Sequence, residues 1–325
     1  MSGRALIRSL QTRSFAVTLA VIALIVGLIE AGSYEPFGTD YTSGLVFSSV
    51  YPWISVPYLS FIINYIGLSI IALSIVLLNR KFKILKSNTW YYVGLFFMME
   101  ICFPEVFLNF SPSTVLALVL FAITICFFAV YGSQYPQKAV FTAFFILSLS
   151  GMWVSSVLFF LPAIIFGVWQ LRELDLKSII AIILGIITPF WIVWGFEWAP
   201  PFILNFPSVE MSFTESFLSL SPSSKPALIL LLFIGIIFMV VALIKILNYN
   251  SSRRAFNGYL VTFLLFTFIL ILVDPVNLTS YLTILCILVS VEIAHVLSLS
   301  ASERSWVWMA VFPSCFFLLS LRNLL

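Results

Sequence analysis

Long apolar runs make up nearly the whole chain, and short breaks rich in charged residues, Pro, Asn and Ser separate them. Because a transmembrane helix needs about 20 predominantly apolar residues, the pattern predicts an all-α, polytopic transmembrane helical bundle of about eleven helices. We expect a single integral membrane domain over residues 1–325. The expected spans are residues 15–30, 56–78, 90–108, 112–131, 139–153, 156–170, 179–196, 226–247, 256–273, 280–298 and 306–321.

The run 139–170 needs separate treatment because, at about thirty residues, it is too long for one untilted span and short for two full ones. Gly151 and the pair Ser155-Ser156 predict an interruption, so we expect two short helices that meet at the outer surface.

Composition supports a membrane location. The chain is 62% hydrophobic and only 9% charged, whereas soluble domains carry about 25% charged residues. No basic stretch interleaved with aromatic residues is present, which argues against nucleic-acid binding. The chain also lacks Walker, GxGxxG, GxSxG and HExxH motifs, which leaves ATP-driven and common hydrolase functions without support.

Charge predicts the orientation. With the N-terminus in the cytoplasm, 14 of the 16 basic residues fall on cytoplasmic segments, which leaves Lys225 and Arg322 outside, as the positive-inside rule requires. The first apolar run follows three arginines without a clean A-x-A cleavage site, so we expect an uncleaved signal anchor. Two outer loops, about 30–55 and 197–225, are long enough to form structure.

The first outer loop begins with Glu30, and Glu35 and Asp40 follow closely. A carboxylate that is partly desolvated at a membrane surface can serve as a general base, so these three residues are candidate catalytic groups. The alternative is a solvated helix end without a catalytic role.

Glu100 and Glu105 flank Pro104 within an apolar segment. A carboxylate in hydrocarbon is costly, and a proline that breaks the helix is tolerated only where the segment is buried in protein or lines a cavity. We therefore expect that neither carboxylate faces lipid and that the three residues lie by an outward cavity.

Glu292 and His295 lie three residues apart, so their side chains share one face of a helix. Carboxylate-bundle metal sites need two such pairs and further Glu residues, and the chain has one histidine. No metal site is predicted. The two residues are interpreted either as a proton-accepting pair or as the snorkelling end of a helix. The sequence identifies no cofactor.

Two stretches, LLNRKFKILKSNTWYY through FFMMEICFPEVFLNFSPS and GMWVSSVLFFLPAIIFGVWQLRELDLKSIIAIILGIITPFWIVWGF, resemble an uncharacterised family of multi-pass membrane proteins of Bacteroidetes-type bacteria. The resemblance implies a multi-pass protein of the bacterial inner (plasma) membrane. It implies no particular activity.

The segments VLFFLPAIIFGVWQLR, LKS and ITPFW are also similar to the middle region of GT-C-type glycosyltransferases, which use polyprenyl-phosphate-linked sugars. That resemblance implies an enzyme of envelope glycolipids in which an acid of the first outer loop activates the acceptor hydroxyl. Lys225, at an outer membrane boundary, is the candidate for binding the lipid phosphate. The alternative is a non-enzymatic membrane-complex subunit or a transporter with an acid-lined outward cavity, and the sequence leaves open whether the protein is an enzyme.

Overall fold

A computed structural model describes residues 9–32, 44–47, 56–82, 90–133, 135–198, 212–246, 250–299 and 305–321, and these contain helices and no strands. The helices are α1 (Arg13–Glu30), α2 (Pro57–Phe82), α3 (Tyr91–Glu100), α4 (Pro104–Phe107), α5 (Pro112–Val130), α6 (Gln137–Gly151), α7 (Leu161–Gln170), α8 (Leu176–Gly195), α9 (Phe213–Ser219), α10 (Ser224–Ile246), α11 (Ser251–Val273), α12 (Leu282–Leu299) and α13 (Ser305–Ser320). A 3₁₀ segment precedes α7 (Ser155–Phe160) and another precedes α12 (Pro275–Tyr281).

Among the described residues, seven helices are long and apolar enough to cross a membrane. They are Arg13–Glu30, Pro57–Phe82, Pro112–Ala129, Leu176–Gly195, Ser224–Ile246, Ser251–Val273 and Pro275–Leu297, and three shorter apolar helices accompany them. The predicted all-α architecture is confirmed for the described residues, and the seven apolar helices are compatible with the predicted multi-pass topology. The count of about eleven spans and the cytoplasmic N-terminus remain predictions.

The helices divide into a buried centre and an apolar periphery. Every residue of α3 is buried, and so is every residue of 280–297, the stretch that includes most of α12. In α1, α8 and α10 only about a third or less of the span is buried, and large apolar side chains such as Ile29, Leu184 and Phe233 are exposed. Because exposed apolar surface on this scale needs an apolar solvent, the periphery faces lipid.

Basic residues gather at one end of the bundle, which we call the basic end. Arg13, at the start of α1, lies 5.7 Å from the ring of Trp90, which precedes α3. The end of α2 meets the start of α11 there, since the rings of Phe82 and Phe256 are 5.4 Å apart. Gln137, at the start of α6, donates to Asp175, which caps α8.

The opposite end, which we call the acidic end, carries Glu30, Glu100, Glu105 and Asp274 at or just beyond helix termini. Three of these, Glu30, Glu100 and Glu105, are acids that the sequence predicts at the outer side of the membrane. This arrangement agrees with the charge pattern from which the orientation was predicted.

The predicted interruption within 139–170 is present. Helix α6 ends at Gly151, and the 3₁₀ segment that leads into α7 begins at Ser155. Residues 44–47 of the first outer loop pack on this break: the backbone N–H groups of Val46 and Phe47 both donate to the carbonyl of Met152. The break and the first loop therefore lie at the same end of the bundle. Within the second outer loop, α9 is a short helix that the sequence did not predict.

Candidate functional site at the acidic end

The fully buried helix α3 stops at Glu100, and a turn of three residues separates it from α4. The N–H of Phe103 donates to the carbonyl of Glu100 at 2.9 Å, which closes this turn. Pro104 occupies the first position of α4, where its missing N–H costs no intrahelical hydrogen bond. Pro104 therefore marks the helix break that the sequence predicts.

Polar side chains from α2 compensate for this break. The buried amide of Asn64 donates to the carbonyls of Val106 and Phe107, both at 2.8 Å. Its oxygen accepts from the Thr114 hydroxyl at 2.5 Å, and Ser60 accepts from the N–H of Phe110 at 2.9 Å. The irregular backbone is thus satisfied inside the protein, as a break at membrane depth requires.

Glu105 joins α4 to the start of α10. One oxygen of its carboxylate accepts from the N–H of Ser221 at 2.5 Å, and the other lies 2.7 Å from the Ser224 hydroxyl. That hydroxyl is also 3.2 Å from the carbonyl of Cys102. Each Glu105 oxygen therefore has a partner, and a carboxylate at the start of α10 also interacts favourably with the helix dipole. These contacts give Glu105 a structural role.

Glu100 differs, because it is completely buried within an apolar helix. The Thr283 side chain interacts with its carboxyl group, without the geometry of a hydrogen bond. An ionised carboxylate in an apolar interior costs several kcal/mol. We therefore assign the carboxyl group of Glu100 to its neutral, protonated form. The expectation that Glu100 avoids lipid is confirmed, while an outward cavity beside it remains a prediction.

Glu30 is the last residue of α1 and is 7% exposed. It lies in the neighbourhood of Glu100, since both carboxyl groups interact electrostatically with the thiol of Cys102. The thiol itself donates to the carbonyl of Phe316 at 3.0 Å. The structure thus places two acids that are seventy residues apart in sequence near the same thiol. Glu35 and Asp40 lie outside the described residues.

Lys225 lies in the first turn of α10, directly after Ser224, and is partly exposed. It is therefore close to the serine contacts of Glu105. No acidic side chain in the described ranges forms an ion pair with it. No described contact joins Lys225 to the neighbourhood of Glu30.

A second polar cluster at this end was missed by sequence reasoning. Asp274 is buried where α11 ends, and one oxygen accepts from Asn277 at 2.8 Å and from the Tyr281 hydroxyl at 2.5 Å. The sequence Asp-Pro-Val-Asn could have indicated it, because Asp and Asn commonly form local hydrogen bonds at helix breaks. The contact with Tyr281, seven residues away, needs the structure.

The predicted pair Glu292 and His295 lies at the other end of the protein. Both residues are buried in α12. Lys245 and Arg253 are close enough to His295 to interact with it electrostatically. The pair therefore belongs to the basic end and is separate from Glu30 and Glu100.

Glu173, also at the basic end, was not singled out from sequence. Arg172 has φ of 60°, and the N–H of Glu173 donates to the carbonyl of Val168 at 3.1 Å, so that a Schellman motif closes α7. The Glu173 side chain is 5% exposed and has no hydrogen-bond partner among the described residues. Burial raises the pKa of its carboxyl group to about 7. No sequence pattern marks this residue.

The described residues contain no group of three or more His, Cys, Asp or Glu side chains that could hold a metal ion. In comparisons with protein families, curated proteins and solved structures, the chain matches none of them. The interpretation of the site therefore rests on its own geometry and chemistry.

Proposed function

We propose that this chain is a multi-pass membrane protein that carries protons through Glu100, as a transporter or as a subunit of a larger membrane complex. The supporting observation is the complete burial of the Glu100 carboxyl group at the end of a broken helix. An ionisable residue inside the membrane is costly and usually marks a path for protons, ions or substrate.

The break itself supports this function. Transporters commonly place their binding sites where a helix is discontinuous, since the broken helix exposes polar backbone groups near the site. Here the backbone groups after the break are taken up by Asn64 and Ser60, and Glu105 is bonded to the N–H of Ser221. Glu100, before the break, has no hydrogen-bond partner among the described residues and lies near the side chains of Thr283 and Cys102. It is therefore the acid that can gain or lose a proton without dismantling the fold.

Glu30 extends the proposed path toward the acidic end. Its carboxyl group shares the Cys102 neighbourhood with Glu100 and lies at the start of the first outer loop. In this proposal Glu30 exchanges protons with the outer solution and Glu100 receives them. The buried pair Glu292 and His295 offers a second proton-accepting position toward the basic end.

The proposed location is the bacterial inner membrane, with the basic end in the cytoplasm. A reporter fused near Asn250 should then show a cytoplasmic location, and one near Pro207 should show a periplasmic location. Periplasmic activity near Asn250 would overturn the orientation.

Membrane vesicles containing the protein test proton movement directly, because they retain any partner subunits. A pH-sensitive dye inside the vesicles should report faster proton entry under an imposed membrane potential than in vesicles lacking the protein. Glu100→Gln keeps the shape of the neutral acid, so the rate should fall to the background with protein abundance unchanged. Glu215→Gln makes the same change at an exposed carboxylate of α9 and should keep the rate. Equal rates with and without the protein would reject the proposal.

The second candidate is a GT-C-like glycosyltransferase of envelope glycolipids that uses a polyprenyl-phosphate-linked sugar. The position of Lys225, partly exposed beside the serines that bind Glu105, favours it, because a cation there is available to a lipid phosphate. Glu30, Glu35 or Asp40 would then be the base.

Amide substitutions at Glu30, Glu35 and Asp40 and the change Lys225→Met test the transferase. Each keeps the approximate shape of the side chain and removes basicity or charge. The transferase proposal requires altered envelope glycolipids at unchanged protein abundance. Unaltered glycolipids in the triple amide variant would exclude the transferase. That result would not bear on the proposal of proton transport, which has its own test.

A further inference from the structure

At the basic end, α6 and α8 border an open groove of about 590 Å³. Lys138 and Lys177, one from the first turn of each helix, line it together with Phe141, Ile180 and Leu184. Both lysines are exposed, as are Ile180 and Leu184. The groove thus combines two cations at the membrane boundary with an apolar wall that continues toward the bilayer centre.

The groove has a definite inner limit. A Cβ atom at Gly185 would lie 2.8 Å from the carbonyl oxygen of Phe141 and 3.0 Å from the Cβ of Phe144, so the two helices are in close contact there. The Ser148 hydroxyl also donates to the carbonyl of Ile186 at 2.7 Å. Small residues allow helices to approach closely in membranes. The space therefore lies within the first turns of α6 and α8 and ends at this contact.

We propose that the α6–α8 groove binds an anionic phospholipid, with its phosphate between Lys138 and Lys177 and one acyl chain along Phe141, Ile180 and Leu184. Basic pockets between transmembrane helices bind anionic headgroups, and lysine stems at helix ends cover apolar surface while the ammonium stays at the interface. This inference rests on the groove and its charges and is independent of the proposed proton path.

Among the described residues, Asp175, the acid at this rim, interacts with Ser178 and Gln137 and with neither lysine. Asp175 accepts from the N–H of Ser178 at 2.7 Å and from Gln137 at 3.3 Å, which ties it to the start of α8. Both ammonium groups therefore remain available to a phosphate, and together they outnumber the single negative charge of Asp175. The start of α6 adds further donors, because no side chain caps its first N–H groups.

A second groove on the protein provides an internal control. It has about 550 Å³, and its lining includes Leu161, Phe166, Trp169 and Phe266 but no charged residue. A groove of this kind can hold an acyl chain but cannot select a headgroup. The selectivity for anionic lipid should therefore depend mainly on Lys138 and Lys177.

Native mass spectrometry of the purified full chain measures this selectivity with phosphatidylglycerol and phosphatidylcholine of identical acyl chains. The protein should retain phosphatidylglycerol with higher affinity, and the double variant Lys138→Gln, Lys177→Gln should lower that affinity on the order of tenfold. The control double variant Lys81→Gln, Lys245→Gln removes the same charge from the basic end outside the groove. It should keep the preference.

The apolar wall is tested separately with Ile180→Trp, which fills the groove at an exposed position and keeps both lysines. This variant should also lose phosphatidylglycerol, while inorganic phosphate should not displace the lipid from the unmodified protein. Equal affinity for both lipids, or equal losses in the two double variants, would overturn the proposal. Displacement by inorganic phosphate would show an anion site without a lipid chain and would overturn it as well.

Discussion

A glutamate lies on each side of the 101–103 turn, Glu100 before it and Glu105 after it, and the two side chains have opposite environments. After the turn, Glu105 has a hydrogen-bond partner for each carboxylate oxygen, and Asn64 satisfies the neighbouring carbonyls. Before the turn, Glu100 is completely buried in an apolar helix, and neither of its carboxyl oxygens has a hydrogen-bond partner among the described residues. Glu105 therefore connects two helices through hydrogen bonds. Glu100 makes no hydrogen bond on which the fold depends.

The largest loss of stability is expected at Asn64, which satisfies the backbone after the helix break. Asn64→Leu leaves the carbonyls of Val106 and Phe107 and the hydroxyl of Thr114 without their partner in a buried site. We expect a loss of about 3 kcal/mol of stability or more. Thermal unfolding in detergent measures it, with Ser74→Ala on the same helix as control. An unchanged unfolding temperature would mean that the break does not depend on Asn64.

Glu105 should show the next largest effect. Glu105→Ala removes both contacts with the start of α10 and should cost about 2–3 kcal/mol, and Glu105→Gln should cost about 1 kcal/mol because the amide keeps one acceptor. The corresponding changes at Glu215, which is exposed, should have much smaller effects on the same unfolding temperature. If Glu100→Gln destabilises the protein more than Glu105→Gln does, the distinction between the two segments is wrong.

Glu173 extends the comparison to a buried carboxyl group at the basic end. Its pKa is about 7 in the folded protein against an ordinary value of 4.5. Between these values the folded state binds more protons than the unfolded state, so stability should fall by roughly 1–3 kcal/mol as pH rises from 4.5 to 7. Glu173→Gln should remove this slope and raise stability at pH 8.

Glu215 is the control for that experiment, because its contribution to stability changes with pH in the opposite direction. Hydrogen bonds from Ser212 hold the pKa of Glu215 below its usual value, so its contribution is present at neutral pH and is lost as pH falls. Glu215→Gln should therefore leave the loss between pH 4.5 and 7 in place. A Glu173→Gln variant with an unchanged pH profile would show that the Glu173 carboxyl group is not desolvated.

The smallest effect is expected at Arg172, whose φ of 60° falls in the left-handed region. Arg172→Gly should stabilise the protein by about 1 kcal/mol, since glycine adopts this conformation without strain. Arg172→Ala removes the same side chain and retains the strained backbone, so it should give no gain. Equal unfolding temperatures of the two variants would mean that the turn after α7 relaxes without glycine.

Apolar runs predicted the long helices of the described residues, because a segment that crosses lipid must satisfy its backbone internally, but they did not predict the short helix α9. Glycine and serine chemistry likewise predicted the break between α6 and α7, and Pro104 predicted the end of α3. These features depend on residues close together in the chain.

The set of residues that form the site depends on contacts between distant parts of the chain, which short sequence patterns do not predict. Glu105 and Ser221 are 116 residues apart, and their contact arises only when α4 packs beside the start of α10. The serine run before Lys225 was visible in the sequence, but the carboxylate that it binds was not. The same limit applies to the shared neighbourhood of Glu30 and Glu100 and to the burial of Glu173.

The most direct test concerns the protonation of Glu100. Infrared difference spectroscopy distinguishes the carbonyl stretch of a protonated carboxylic acid from the stretches of a carboxylate. The spectrum of the wild-type protein minus that of Glu100→Gln at neutral pH should contain a protonated-acid band. A difference spectrum with a carboxylate band instead, or with no band at all, would contradict a neutral, proton-carrying Glu100.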